Sequence, residues 1–362
     1  MNGHIRTKNF DSSQILDKVL TNSSAAFSIV DDNGNVVVEF AGGHIKTKNF
    51  DSQAVIQSSD NLSDSLVEYW ISDGNLYLSF GYTDQNDAVI VMNNGRANGL
   101  FDFSALMLKV KGTHLNTAAL INAWTSGSDM HSPFQFLAKQ NADGYYADAT
   151  SPGYSGGNHT QTINGTVVKT ASSRYVRFYA DGRPVISGYG RCRNFEIKWA
   201  NNIQAYNCIK ADGTGRTSMI EYHDMIFDGV KFDETVAIVP QEDIKMSFWE
   251  AFATVSWGAT YQNIRFIDGI NRGKYPYISG TNYQSGNNSA SGMILWGDDH
   301  ALEMHMDNSL DLGKRTYYTG EGGAHTSGQK AYFQVIRQNV DMAEDEAYYV
   351  HGSFKFFPAE EV

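Results

Sequence analysis

The sequence predicts an all-β protein, a two-sheet β-sandwich or jelly roll with a small N-terminal β-repeat appendage. Three observations carry this. Aromatic residues make up 13% of the 362 residues, with 20 Tyr and 20 Phe, the side chains that suit a pleated, half-buried surface. Glycine is abundant, 34 against 6 proline, which fits short strands joined by tight turns. Apolar residues recur with period two in short runs punctuated by Gly, Asn and Asp, and no alternation of strand and helix of the βαβ kind is visible.

Taken in order, the chain opens on a repeat. GHIRTKNFDS, from Gly3 to Ser12, returns as GHIKTKNFDS from Gly43 to Ser52, differing only at Arg6 against Lys46. Two copies are fewer than a solenoid needs to bury its own core. Between them, Phe27 to Phe40 reads as two strands around the turn signal Asp32-Asn33-Gly34. So thin a unit needs partner surface, either the body or identical copies of itself, and a homotrimer through the repeat is the assembly this suggests. Gln57 to Asp64 is a Ser, Asp, Gln and Asn linker. The expected division is therefore residues 1–60, repeat segment and linker, and residues 61–362, the body.

The body begins with Leu66 to Phe80, two strands around Ser72-Asp73-Gly74-Asn75. Ala88 to Met92, Ala105 to Val110 and Phe134 to Ala138 are further short apolar runs. Thr117 to Trp124 is the one helix candidate. Phe195 to Trp199 alternates, with Phe195, Ile197 and Trp199 inward and Glu196 and Lys198 outward. Met219 to Phe232, Ala237 to Val239, Ile244 to Trp249 and Gln262 to Ile267 repeat the theme, and Ala331 to Arg337 and Ala347 to Phe357 close it. Gly273 to Asn288, rich in Tyr, Gly, Asn and Ser, reads as an adaptable loop at a ligand rim, with Tyr283 its candidate contact.

Composition excludes several classes. The formal charge is −12, from 28 Lys plus Arg against 40 Asp plus Glu, which disfavours nucleic acid as a partner and requires a local basic cluster for any anionic polymer. The two cysteines, Cys192 and Cys208, could pair with each other, but they are too few for a disulfide scaffold and two buried thiols are the favoured reading. No P-loop, GxSxG or HExxH occurs and no metal-binding cysteine spacing is present, so neither a cofactor nor a metal is expected. No apolar run reaches the length of a membrane span, and the N-terminus lacks the apolar core of a signal peptide. Membrane insertion is not expected.

Strand pattern and polar chemistry coincide most densely between Tyr154 and Pro184. A Gly156-Gly157 turn leads into Asn158 and His159, and the stretch ends at Asp181-Gly182. From Arg174 onward the residues alternate, with Val176 and Phe178 on one face and Tyr175, Arg177 and Tyr179 on the other. Aromatic faces stack on sugar rings and a guanidinium pairs with a carboxylate. A polysaccharide lyase needs a group that neutralises the uronate carboxylate, a base for the C5 proton and an acid for the leaving oxygen. Arg177 and Asn158 suit the first task, His159 and Tyr179 the proton transfers. The alternative is an ordinary solvated sheet face and a His159 that caps its own turn.

Two more clusters stand out. In MIEYHDMIF, Glu221 and His223 share one face and Tyr222 and Asp224 the other; His223 is then either a base oriented by Glu221 or half of a surface pair. In ALEMHMD, Glu303, His305 and Asp307 share a face opposite Leu302, Met304 and Met306. Period-two acids suggest a glycoside hydrolase pair, but His305 stands where a second acid is needed. With Asp298, Asp299 and His300 nearby, a divalent cation is the alternative, as is a solvated acidic strand.

Two resemblances add to this reading. VDDNGNVVVEF followed by GGHIKTKNFDS resembles short β-segments near the N-termini of phage and prophage tail proteins and of enzymes encoded by gut Bacteroidetes. GGNHT, VRFYADGRP, WANNIQAYNCIKADGTGR, IEYHDMIFDGVKF and LDLGKRTYYTGEGGAHTSGQKAYF, spread from Leu100 to Phe357, resemble the bodies of large tail proteins and are similar to jelly-roll polysaccharide lyases. The resemblance implies a carbohydrate-facing depolymerase or tail module, virion-associated or extracellular, with a polysaccharide or cell-surface glycan as partner. The leading expectation is a lyase on an acidic glycan with His159, Arg177, Tyr179, Asn158 and His223 catalytic, and with Tyr175, Arg174, Tyr222 and Tyr283 binding substrate. A glycoside hydrolase is less favoured. A non-catalytic glycan-binding or structural tail protein is the alternative.

Overall fold

The computed structural model describes residues 27–30, 36–41, 44–47 and 50–51 and, from residue 67 onward, all but 117–119, 126–129, 132, 143–151, 257–260, 268–274, 277–290, 308–316, 322–328 and 337–338. The first repeat copy, the linker and Tyr283 lie outside these. The described residues form an all-β sandwich with no α-helix and two single 3-10 turns, Tyr206–Cys208 and Ala359–Glu361. Among them no helix is long and apolar enough to cross a membrane.

The N-terminal strands β1 (Phe27–Val30), β2 (Val36–Ala41), β3 (His44–Thr47) and β4 (Phe50–Asp51) form their own antiparallel sheet. Phe27 pairs with Phe40 across β1 and β2; the Asp32-Asn33-Gly34 signal between them lies outside the described residues. The body begins with β5 (Val67–Ser72), β6 (Asn75–Gly81), β7 (Asn86–Asn93), β8 (Asp102–Val110), β9 (Ile121–Thr125) and β10 (Phe134–Ala138). It continues with β11 (Thr160–Ile163), β12 (Thr166–Lys169), β13 (Ala171–Ala180), β14 (Arg183–Val185), β15 (Gly188–Cys192), β16 (Phe195–Ile203), β17 (Met219–Phe227) and β18 (Phe232–Pro240). The remainder is β19 (Ile244–Ser256), β20 (Asn263–Ile267), β21 (Tyr275–Pro276), β22 (Gly292–Trp296), β23 (His300–Met306), β24 (Tyr317–Glu321), β25 (Gln329–Ile336), β26 (Val340–Met342) and β27 (Tyr348–Pro358).

A ten-stranded sheet in the order β14-β13-β16-β17-β18-β27-β23-β22-β20-β21 is the backbone of the body. A six-stranded sheet, β15-β5-β6-β7-β8-β9, and a five-stranded one, β10-β19-β25-β24 with β26 on β19, pack on one of its faces. Phenylalanines join the layers. Phe80 meets Phe227 at 5.1 Å, and Phe354 meets both Phe103 of the six-stranded sheet at 5.4 Å and Phe252 of the five-stranded one at 5.6 Å. Each such side chain contributes about 1.5–3 kcal/mol by leaving water, plus the gain of tilted and edge-on ring contacts.

The tight hairpins follow turn chemistry read directly from the sequence. Asp73-Gly74, Asn164-Gly165 and Asp181-Gly182 each hold two successive residues at positive φ, 51° and 77°, 51° and 80°, and 47° and 73°. This is the type I′ geometry whose twist matches paired strands. The expected helix at Thr117 to Trp124 is a correction: Ile121–Thr125 is a strand whose Ile121 and Trp124 pair with Leu108 and Leu106. Eight residues are too few to hold a helix alone, and the open edge of β8 offers hydrogen bonds that a helix there would forfeit. Cys192 and Cys208 are both buried and unbridged.

Candidate functional site

Strand register puts three rows of side chains on the outer face of the ten-stranded sheet, away from the two covering sheets. The first row is Tyr175, Ala200, Tyr222, Ala237 and Tyr349, tyrosines separated by alanines. The second is Arg177, Lys198, Asp224, Thr235 and His351. The third is Tyr179, Glu196, Ile226, Asp233, Ser353 and His305. Val176 and Phe178 pack toward the core, so the alternation expected for β13 holds. A bulge at Arg174, where Ser173 pairs with Asn201 and Tyr175 with Ala200, keeps this phase and leaves Arg174 exposed.

The rows are charged but largely shielded. Lys198 is 3% exposed and Asp224 6%. Lys198 Nζ lies 2.9 Å from Glu196 Oε1 and 3.2 Å from Asp224 Oδ2. Burial works against the Lys198 ammonium, yet Asp224 and Glu196 hold its pKa above the ordinary lysine range. Burial, opposed by Lys198 and aided by Asp224, pushes the Glu196 carboxyl up to about 7. A carboxyl that titrates near neutrality beside a fixed cation can give or take a proton. Its cross-strand partner is Tyr179. At the exposed end of the second row, the Arg177 guanidinium stands 4.7 Å above the Tyr175 ring, a flat cationic and aromatic surface.

Asn158 and His159 occupy a turn at one end of β11. Asn158 Oδ1 accepts the Ala97 N–H at 2.6 Å, and Asn98 Nδ2 donates to the carbonyls of Gly157 and His159 at 2.9 and 2.8 Å. Asn98 Oδ1 in turn accepts the Thr170 N–H at 3.0 Å. The His159 ring lies 4.9 Å from that of Tyr154. The turn is thus clamped through backbone groups to the loop before β8.

His223 is on the other side of the sheet. β17 is buried on both faces, and the phase that turns Tyr222 and Asp224 outward turns Glu221 and His223 into the sandwich. The expected catalytic residues therefore do not share a face: Arg177 and Tyr179 are outside, His223 is 0% exposed inside. The surface-pair reading of Glu221 and His223 is corrected on the same ground. Tyr222 lies in the outer tyrosine row, 1% exposed.

The interior holds a polar chain that spacing along the sequence did not single out. His223 Nδ1 meets Glu234 Oε1 at 2.8 Å, Glu234 Oε2 meets His131 Nε2 at 2.8 Å, and His131 Nδ1 meets Asp102 Oδ1 at 2.8 Å. Glu221 Oε2 lies 3.3 Å from His223 Nε2 and accepts Asn201 Nδ2 at 2.8 Å. Arg96 Nε stands 3.4 Å from Asp102 Oδ2. Burial alone would lower the His131 pKa, but Glu234 and Asp102 raise it well above the ordinary value. Burial would raise those of Asp102 and Glu234; the imidazoles, with Arg96 at Asp102, pull them below. Buried charges persist only when paired in this way.

In the third cluster, Glu303 and His305 form a half-buried pair, Oε1 to Nε2 2.5 Å, opposite buried Leu302, Met304 and Met306. His300 Nδ1 instead faces Tyr82 Oη at 2.9 Å. Among the described residues, one group of three has ligand-type atoms within 4.8 Å of one another, and it is His131, His223 and Glu234 rather than this strand.

No family model matches the chain, and no curated protein matches it. Among solved structures the chain is similar to the α-galactosidase from Lactobacillus brevis, at 8% identity over 80% of this chain and 40% of that one, TM-score 0.43. It is similar to the GH36 α-galactosidase AgaA from Geobacillus stearothermophilus, at 9% identity over 78% and 40%, TM-score 0.46. A third is heparinase III, at 6% identity over 95% and 45%, TM-score 0.35. The chain spans less than half the length of each. With these TM-scores below 0.5, the fold rests on this chain's own strands.

Proposed function

We propose that the chain is a carbohydrate-directed β-sandwich that binds a glycan on the outer face of its ten-stranded sheet, around Tyr175, Arg177 and Tyr179. The observation that carries this reading is Arg177 over the Tyr175 ring at 4.7 Å, next to Tyr179 and in register with Lys198 and Glu196. Flat aromatic surface supplies contact with sugar rings, and Arg177 supplies the local positive charge that an acidic glycan needs against a net charge of −12. Binding without cleavage is the leading form, because His223 is separated from Arg177 by the sheet itself.

Lyase chemistry is the second reading, and one observation favours it: Tyr179 and Glu196 are cross-strand partners beside Arg177. Arg177 would neutralise the uronate carboxylate, and Tyr179 and Glu196 would carry the C5 proton and the leaving oxygen. A panel of uronate-containing and neutral polysaccharides separates the two. Binding to a uronate polymer that Tyr179→Ala weakens, without absorbance from unsaturated product, supports the binding form; product formation lost in Glu196→Gln supports the lyase. Absence of binding across the panel refutes both. The residue 1–60 segment is read as an attachment or trimerisation appendage of a virion-associated or extracellular protein, and an unchanged solution mass on deleting it would count against that role.

A further inference from the structure

Two histidines from distant parts of the chain present one ring nitrogen each to the same carboxylate, and each has its other nitrogen beside a carboxylate of its own. For His131 these are Glu234 on Nε2 and Asp102 on Nδ1, both at 2.8 Å. For His223 they are Glu234 on Nδ1 at 2.8 Å and Glu221 near Nε2 at 3.3 Å. A carboxylate held against the outer nitrogen, with the inner nitrogen turned toward a shared centre, is how metal-bound histidines are fixed in tautomer and orientation.

We propose that His131, His223 and Glu234 form a divalent-cation site in the interior of the sandwich, with Asp102 and Glu221 as the outer partners of the two imidazoles. The three ligand-type atoms lie within 4.8 Å of one another, and all three residues are buried. Two imidazoles and a carboxylate suit zinc among the common divalent ions. The outer shell is rigid. Asp102 also accepts the N–H groups of Phe103 at 2.7 Å and Met130 at 3.0 Å. Trp199 lies flat on the His223 ring, centroids 4.2 Å apart and planes 4° from parallel, which holds that imidazole in place.

The test is metal content of the full chain, produced in zinc-supplemented medium, dialysed and measured by elemental analysis. A cobalt-loaded sample is read by visible absorption, and melting temperature is compared before and after a chelator. The expected result is stoichiometric zinc, cobalt ligand-field bands, a fall in melting temperature on chelation, and loss of the metal in His131→Gln and Glu234→Gln but not in the surface control His305→Gln. Folded wild-type protein that retains neither zinc nor cobalt, with a melting temperature indifferent to chelator, overturns the proposal whether or not the variants fold. So does metal retained equally by His131→Gln and Glu234→Gln. Glycan binding on the opposite face is a separate measurement, so the two proposals fail independently.

Discussion

Glu196 and Lys198, two residues apart on β16, meet at 2.9 Å on the outer face of the sheet. The carboxyl is raised to about 7 from an ordinary 4.5. A group raised in the folded state adds stability below its unfolded value, and that stability is lost as pH rises through the folded value. Stability should therefore decline between pH 4.5 and about 7 on account of Glu196. Glu196→Gln should flatten that limb and stabilise the protein at pH 8 by on the order of 1–2 kcal/mol. Urea titrations of both proteins at pH 5 and pH 8 measure it; parallel losses in the two would show that Glu196 is not the cause.

Tyr179→Ala and Arg177→Ala should each weaken binding of the glycan by about tenfold or more, as expected of aromatic and Arg anchors, while leaving melting temperature within a degree or two. Arg177 is exposed, so its loss opens no cavity. Calorimetric titration against the best polymer from the panel gives the comparison. His223→Gln, inside the sandwich, should instead cost stability first.

Gly352 has no room for a methyl group. A Cβ there would come within 2.4 Å of the His305 carbonyl oxygen and 2.6 Å of the Phe252 ring. Gly352→Ala must push β27 from β23 or from the five-stranded sheet, and should cost about 3 kcal/mol or more. Chemical denaturation of the purified variant, or its failure to accumulate as folded protein, is the readout.

Gly182 is the opposite case. A Cβ there meets nothing within 4 Å, yet its φ is +73°. Gly182→Ala should cost about 1–2 kcal/mol through backbone strain alone, whereas Asp181→Gly relieves a φ of +47° but removes the Oδ1 that accepts the Arg193 and Asn194 N–H groups at 2.9 and 3.0 Å, and should cost about 1–3 kcal/mol. A negligible loss on Asp181→Gly beside a full loss on Gly182→Ala would place the turn's stability in backbone conformation alone.

Neither cysteine should react with a thiol reagent in the folded protein. Both are buried, and burial pushes the Cys192 thiol up, away from the reactive thiolate. Two thiols should titrate on adding denaturant; fast reaction without it would mean that β15 opens locally.

Alternation made much of this architecture legible. Phe195, Ile197 and Trp199 point inward, Leu302, Met304 and Met306 are buried, and the Asp-Gly pairs make the turns they predict. What stayed hidden has a physical reason. β17 is buried on both faces, so alternation shows which residues share a face but not which face meets the other sheets, and His223 was open to a surface reading. Asp102, His131 and Glu234 belong to three separated segments, and only the pairing of β17 with β18 and the stacking of β8 beneath them bring the network together. Glu196 and Lys198 were legible as outward-facing, but their shielding, and hence the raised carboxyl, depends on neighbours from other strands.

The ends of the ten-stranded sheet carry a consequence for behaviour at high concentration. Among the described residues its outermost strands are β14, three residues long, and β21, and they contain Pro184 and Pro276. A proline has no N–H to offer an incoming strand, and so short an edge gives a growing ladder little to follow. Arg183 adds charge at one of them. Widest of the sheets among the described residues, this one is thereby blunted at its β14 margin against edge-to-edge aggregation, which would otherwise be the main hazard of packing many copies of an all-β chain close together.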